Sequence, residues 1–196
     1  FASCTRIGPL AFASCSKLFS IDLPSLTFLD VRVFEYTALV SIELNKVTDS
    51  SDDRYRGSGA YGSHFRGCQQ LTSVTMPLLN KIGENMFNGC SSLSTLNFPL
   101  VTTINSGAFS SCNALTDLTF PTLTSIGSRA FSGLAGIVSV NIASVTWIGE
   151  TAFQSCPNLE SISFASCTRI GPLAFASCSK LSSIDLPSLT FLDVRV

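Results

Sequence analysis

Apolar residues along this chain recur at an interval of 22, far longer than the period of a single helix or strand. Ile82, Ile104, Ile126, Ile148, Ile170 and Leu192 follow one another at that spacing, and so do Phe87, Phe109, Phe131, Phe153 and Phe175. Ile7 with Phe12, and Leu29 with Phe34, start the same series. The Phe positions mark eight coils, completed by Phe65, and the residues from Thr190 begin a ninth. A unit this short cannot bury its apolar face alone, so neighbouring coils must stack into one continuous core.

The unit is seen nearly whole in "TTINSGAFSSCNALTDLTFPTL", Thr102 to Leu123. Leu115, Leu118 and Phe120 end in alternation, which predicts a short strand with one buried face. Pro121 then removes a backbone donor and turns the chain. Thr102 and Ile104 are β-branched and predict a second extended piece. The next position is Gly83, Asn105, Gly127 or Gly149, residue types that tolerate positive φ, which predicts a left-handed corner. Ala108, Phe109, Cys112 and Leu115 are spaced like about two helical turns. The fold class that follows is a repeat solenoid of α/β type, with a parallel sheet on one face and short helical turns on another.

From Phe34 to Phe65 the spacing is 31, so the third coil carries an insertion, at about residues 47–63. The remainder reads as a single solenoid over 1–196. The insertion concentrates charge and aromatics, and Arg54, Tyr55, Arg56 and Tyr61 are candidate partner-binding residues, because Tyr and Arg are enriched at interface hot spots. Its Asp49, Asp52 and Asp53 do not have the spacing of an EF-hand loop. Residues 1–33 return as 164–196 with one change, Phe19 to Ser182.

Charge and chemistry narrow the function. Twelve basic and 13 acidic residues leave a net charge of −1, which gives nucleic acid or an anionic membrane nothing to attract. No apolar run has bilayer length, and the first residues lack a signal-peptide pattern. The chain starts in mid-motif, as an excised fragment or a mature product would. Cys15, Cys68, Cys90, Cys112, Cys156 and Cys178 share one position of the coil, and Cys4 and Cys167 share another. Stacking sets equivalent side chains parallel, so their Cβ atoms do not converge and a disulfide framework is disfavoured. Leu or Val at the same positions of other coils marks these cysteines as small buried hydrophobes. No catalytic, cofactor or metal residue is assigned: no Cys/His cluster has ligand spacing, and the recurrent glycines do not form a P-loop. The sole histidine, His64, reads as an exposed loop residue and not as a base.

Two rows of equivalent positions should face solvent. The strand row is small and hydroxylated, as at Thr95 with Asn97 and Ser161 with Ser163. The position before the coil's Ile or Leu holds Arg6, Phe28, Lys81, Thr103 and Ser125, and then places Trp147, Arg169 and Phe191 on successive coils. Aromatic rings flanking a guanidinium are typical interface anchors, so these three are candidate partner-binding residues.

The pattern "L-x-x-I-x-L-P-x-L-T-x-I-G-x-x-A-F-x-x-C" resembles the BspA-like leucine-rich repeats over all of the chain except about Val47 to Ser63. Thr37 in place of Cys, one residue fewer between Phe34 and Leu39, and Leu134 in place of Cys are local departures. The resemblance implies a right-handed solenoid on a cell surface or secreted, acting as a surface antigen in adhesion and protein binding, with a host matrix or cell-surface protein as partner. Two other readings stay open. One is a structural unit that self-assembles by stacking end to end; the other is an intracellular interaction scaffold, which would suit free thiols.

Overall fold

The computed structural model describes residues 1–48 and 62–193. Two parallel ladders run along it. The first is built from two-residue strands whose second residue points inward: β1 (Arg6–Ile7) pairs with β2 (Phe28–Leu29). Its other described strands are β5 (Lys81–Ile82), β7 (Thr103–Ile104), β8 (Ser125–Ile126), β10 (Trp147–Ile148), β12 (Arg169–Ile170) and β14 (Phe191–Leu192). The second ladder uses three-residue strands. β3 (Ser41–Glu43), β4 (Ser73–Thr75) and β6 (Thr95–Asn97) form one part, and β9 (Ser139–Asn141), β11 (Ser161–Ser163) and β13 (Ser183–Asp185) form another.

Between those parts lies a seam. Asp117, Leu118 and Thr119 were expected to form a strand and do not, although Leu118 is buried. In neighbouring coils the equivalent amides bond the coil before, as Ser94 and Thr95 do to the Thr72 carbonyl and Glu160 to that of Val138. Among the described residues, no backbone carbonyl accepts from Thr116 to Phe120. On the next coil Gly136 lies so close to its neighbour that an added Cβ would sit 2.7 Å from the Asn113 carbonyl oxygen. The coils are thus pinched together at Gly136 and parted along the strand row.

The expected helical turns are absent: among the described residues there is no helix. Residues 106–111 form a run of tight turns instead. Their amides alternate between neighbouring and own coil, Phe109 bonding the Ala130 carbonyl at 2.8 Å and Ser110 that of Gly107 at 3.1 Å. An α-helix would direct every amide inward along its own axis. It is prevented here by left-handed residues four apart, Gly107 (φ 64°) and Ser111 (φ 61°), repeated at Arg129 and Gly133 and at Thr151 and Ser155. Ala108, Phe109 and Cys112 point inward because of this alternation, which imitates helical spacing.

The left-handed corner therefore falls two residues beyond its predicted position, at Gly107 and not Asn105, at Arg129 and not Gly127. Gly127 has another reason to be glycine. A Cβ there would lie 2.7 Å from the Asn105 carbonyl carbon of the coil before.

The core is a stack of rings. Phe12, Phe34, Phe65, Phe87, Phe109, Phe131, Phe153 and Phe175 follow one another near parallel, with centroids 5.2 to 5.6 Å apart. Beside them the thiols of Cys90, Cys112 and Cys178 donate to the carbonyls of Phe65, Phe87 and Phe153 in the preceding coils, at 2.9, 3.0 and 3.1 Å. The conserved geometry gives the cysteine position a directional role beyond that of a small hydrophobe, and all eight cysteines are free.

Candidate functional site

Strand β10 pairs with β12 and β12 with β14, in a register that sets Trp147 beside Arg169 and Arg169 beside Phe191. Because Ile148 and Ile170 point into the core, the alternation of the strand turns the residues before them outward. Trp147 is 37% exposed and Phe191 49%, and Arg169 is exposed as well. The Arg169 guanidinium lies over the Phe191 ring, 5.1 Å from its centroid. The structure thus brings three of the sequence-selected residues into one solvent-facing strip. Arg54, Tyr55, Arg56 and Tyr61, with Asp49, Asp52 and Asp53, lie outside the described residues.

The strip has a hydroxyl border. Thr146, Thr168 and Thr190 each donate from Oγ1 to the carbonyl of the equivalent residue one coil earlier, at 3.1, 3.3 and 3.0 Å. Those bonds fix the β-branched side chains and hold the backbone beneath the aromatics. Below the strip the row continues as Ser125, Thr103 and Lys81, in register and without a large ring. Along the ladder from Lys81 to Phe191 the apolar area therefore lies at the Trp147 end.

The repeated segment carries a second version of the pair. Arg6 lies 4.3 Å from the Phe28 ring centroid and is also ion-paired at 3.1 Å to the buried Asp30 carboxylate. The duplication of residues 1–33 was the signal for it.

His64 is not an exposed loop residue; it is fully buried. It fills the inward position that Met86, Ala108 and Ala130 fill in later coils, so the insertion ends before it. Nearby, Glu35 is buried with its carboxylate 2.6 Å from Arg32 Nε and 3.9 Å from Arg66. It is the sole carboxylate at a position held elsewhere by Asn88, Ser110, Ser132 and Gln154, a contrast visible in the sequence.

Hollows among the described residues flank the ladders at two places. One of about 370 Å³ opens at the seam between Asp117–Pro121 and Ser139–Ser144. The other, about 430 Å³, runs past Glu84, Asn88, Arg129 and Glu150 along the corner side. Burial pushes the Cys112 thiol up to about 12. Half-buried Cys178 is drawn down to about 7, because Cys156 can donate to its thiolate. Among the described residues no group of three His, Cys, Asp or Glu could hold a metal ion, and no helix is long and apolar enough to cross a membrane.

The family model for the BspA type leucine rich repeat region matches in six copies, over residues 1–113, 61–146 and 102–194. The chain belongs to the BspA-type leucine-rich-repeat family. A leucine rich repeat protein of T. pallidum is 24% identical, with a TM-score of 0.67 over 86% of this chain and 79% of its own. A leucine-rich repeat protein from Bacteroides ovatus is 25% identical, with a TM-score of 0.55 over 76% of this chain, which spans 46% of that protein. A leucine rich cell surface protein from Faecalibacterium prausnitzii shares the fold at 20% identity, with a TM-score of 0.53 over 94% of this chain and 70% of its own. No curated protein matches this chain. BspA-type repeats form a general protein-interaction or adhesion module, and the eight parallel coils here are such a scaffold.

Proposed function

We propose that this chain is a non-enzymatic, protein-binding adhesion module of a cell-surface protein, with Trp147, Arg169 and Phe191 as its contact strip. The observation that carries the reading is the exposed cation–π pair of Arg169 and Phe191 beside Trp147, on a row that holds Lys81, Thr103 and Ser125 in the coils just before. Rigid aromatic rings lose little conformational freedom on docking, and Trp and Arg are enriched at interface hot spots. The surface setting draws support from the family and from the printed description of the Faecalibacterium protein.

The partner class is a host-matrix protein, and the probes are immobilised fibronectin and laminin. A Trp147→Ala, Phe191→Ala double variant should bind at least one of them about 30-fold more weakly, the worth of a hot spot of roughly 2 kcal/mol. Ser139→Ala, on the hydroxyl row, should bind as the parent does. Equal binding by the double variant and the parent sinks the contact strip. No binding of either probe by the parent sinks the matrix partner.

A further inference from the structure

At the seam in the middle of the solenoid, the ladder is open at matching positions on both walls. In the other coils the amide just past the strand bonds the next coil: Met76 donates to the Asn97 carbonyl at 3.2 Å, Ile142 to that of Ser163 at 3.2 Å and Phe164 to that of Asp185 at 3.0 Å. Phe120 holds the same position, and among the described residues its amide meets no backbone carbonyl. The amide just before the strand bonds the preceding coil, as Glu160 does to the Val138 carbonyl at 2.8 Å and Ser182 to that of Glu160 at 3.0 Å. Val138 holds that position on the second wall, and neither its amide nor that of Ser139 reaches the Thr116 carbonyl.

The amides of Phe120 and Ser139 and the carbonyls of Thr116 and Asn141 therefore lack the cross-coil partners that their counterparts have. Unpaired strand edges of this kind are templates for a further strand, and here two of them flank one hollow. A three-residue strand is about 10 Å long and 4.8 Å wide, so a hollow of about 370 Å³ gives it roughly 8 Å of depth. That is room for a backbone with one layer of side chains.

The lining sets the chemistry of the guest. Leu118 and Val140 are buried and line the inner side, which suits an apolar residue between two outward ones. Asp117 is the single charged residue of the lining; it is exposed, and its carboxylate is held by the Thr119 hydroxyl at 2.9 Å. A basic side chain on the guest complements it.

We propose that the seam is a docking site for an extended segment of a partner protein, which adds as a parallel strand between the Asp117–Thr119 segment and β9. The guest sets a β-branched apolar residue over Leu118 and Val140 and a Lys or Arg beside Asp117. Its backbone bonds replace bonds to water and each adds little, so a short segment binds weakly and reversibly.

The test is deuterium exchange of the full chain with the peptide acetyl-Thr-Lys-Val-Thr-Ser-amide. With a dissociation constant of about 0.1 mM, roughly 1 mM peptide should slow exchange of the Phe120 and Ser139 amides about tenfold. The same peptide methylated on its Lys and Val amide nitrogens, which face opposite walls, should leave exchange unchanged. Asp117→Asn should weaken binding about fivefold. No slowing by the peptide overturns the proposal, as does equal slowing by the methylated peptide, which would mean that side chains alone bind. Slowing that rises with protein concentration and without peptide also overturns it, because the occupant is then a second copy of this chain. The Trp147→Ala, Phe191→Ala double variant should respond to the peptide as the parent does, so the seam stands or falls apart from the adhesion reading.

Discussion

Replacing Phe109 by Ala removes one ring from the middle of the stack. Phe109 is fully buried, with Phe87 at 5.2 Å on one side, Phe131 at 5.5 Å on the other and Phe120 tilted against it at 6.1 Å. A core Phe→Ala change costs about 3–5 kcal/mol from lost transfer energy and the cavity left behind. Three ring contacts place Phe109 at the upper end, about 4–5 kcal/mol. Phe175 offers the internal comparison: it is half-buried and, among the described residues, its one ring neighbour is Phe153, so Phe175→Ala should cost roughly 2 kcal/mol. Urea unfolding followed by Trp147 fluorescence and far-UV circular dichroism measures both. The two probes also report whether coils unfold together, since a solenoid with a weakened middle departs from two-state behaviour. If Phe109→Ala and Phe175→Ala cost the same within about 0.5 kcal/mol, the ring ladder is not a cooperative core and the reasoning fails.

Three further outcomes are expected. At pH 8 a thiol reagent should modify exposed Cys15 and half-buried Cys178 first, while Cys68, Cys90 and Cys112 stay protected until the chain unfolds. The pH dependence follows from the buried thiols: between the ordinary 9.0 and about 12 an unfolded Cys112 loses its proton and a folded one keeps it. Its contribution is therefore intact below pH 9 and lost as pH rises towards 12, a slope that Cys112→Val should reduce. At the seam, the amides of Thr116 to Phe120 should exchange with deuterium at least 100-fold faster than those of Ser94, Thr95 and Glu160, whose bonds to the preceding coil are intact. Equal protection at both places would mean that the seam closes in solution.

The repeat made most of the fold legible. A recurring Ile and Phe locate the inward positions whatever the backbone does between them, so the parallel stacking, the core rows and the exposure of Trp147, Arg169 and Phe191 could all be read directly. The helical turns could not, because spacing reports which residues point inward and not which amide bonds which carbonyl. Ser111, Arg129, Thr151 and Ser155 take left-handed conformations that their residue types do not announce. Glycine misled in the same way: Gly127 avoids a neighbouring backbone, whereas the corner belongs to Arg129. His64 was misplaced because, next to the insertion, it reads as an exposed loop residue, while counting back from Phe65 puts it on the inward row.

In a stacked repeat every position is copied along a row, so a row made wholly of fitting residues reports only on stability. The threonine row shows this: each hydroxyl does the same backbone-tethering work, and any one could be exchanged for another. Information about a partner must then lie where a row changes character without a structural need. Trp147 meets that condition. Ser125 and Thr103 serve the same strand position with small side chains, and Ile148 packs as Ile126 does, so nothing in the core calls for an indole there. Arg169 over Phe191 meets it too, whereas Arg6 over Phe28 does so less cleanly because Asp30 already engages that guanidinium. The same residues in two copies thus differ in how freely the cation can turn to a ligand, and the strip at Trp147 is the copy with apolar area beside it.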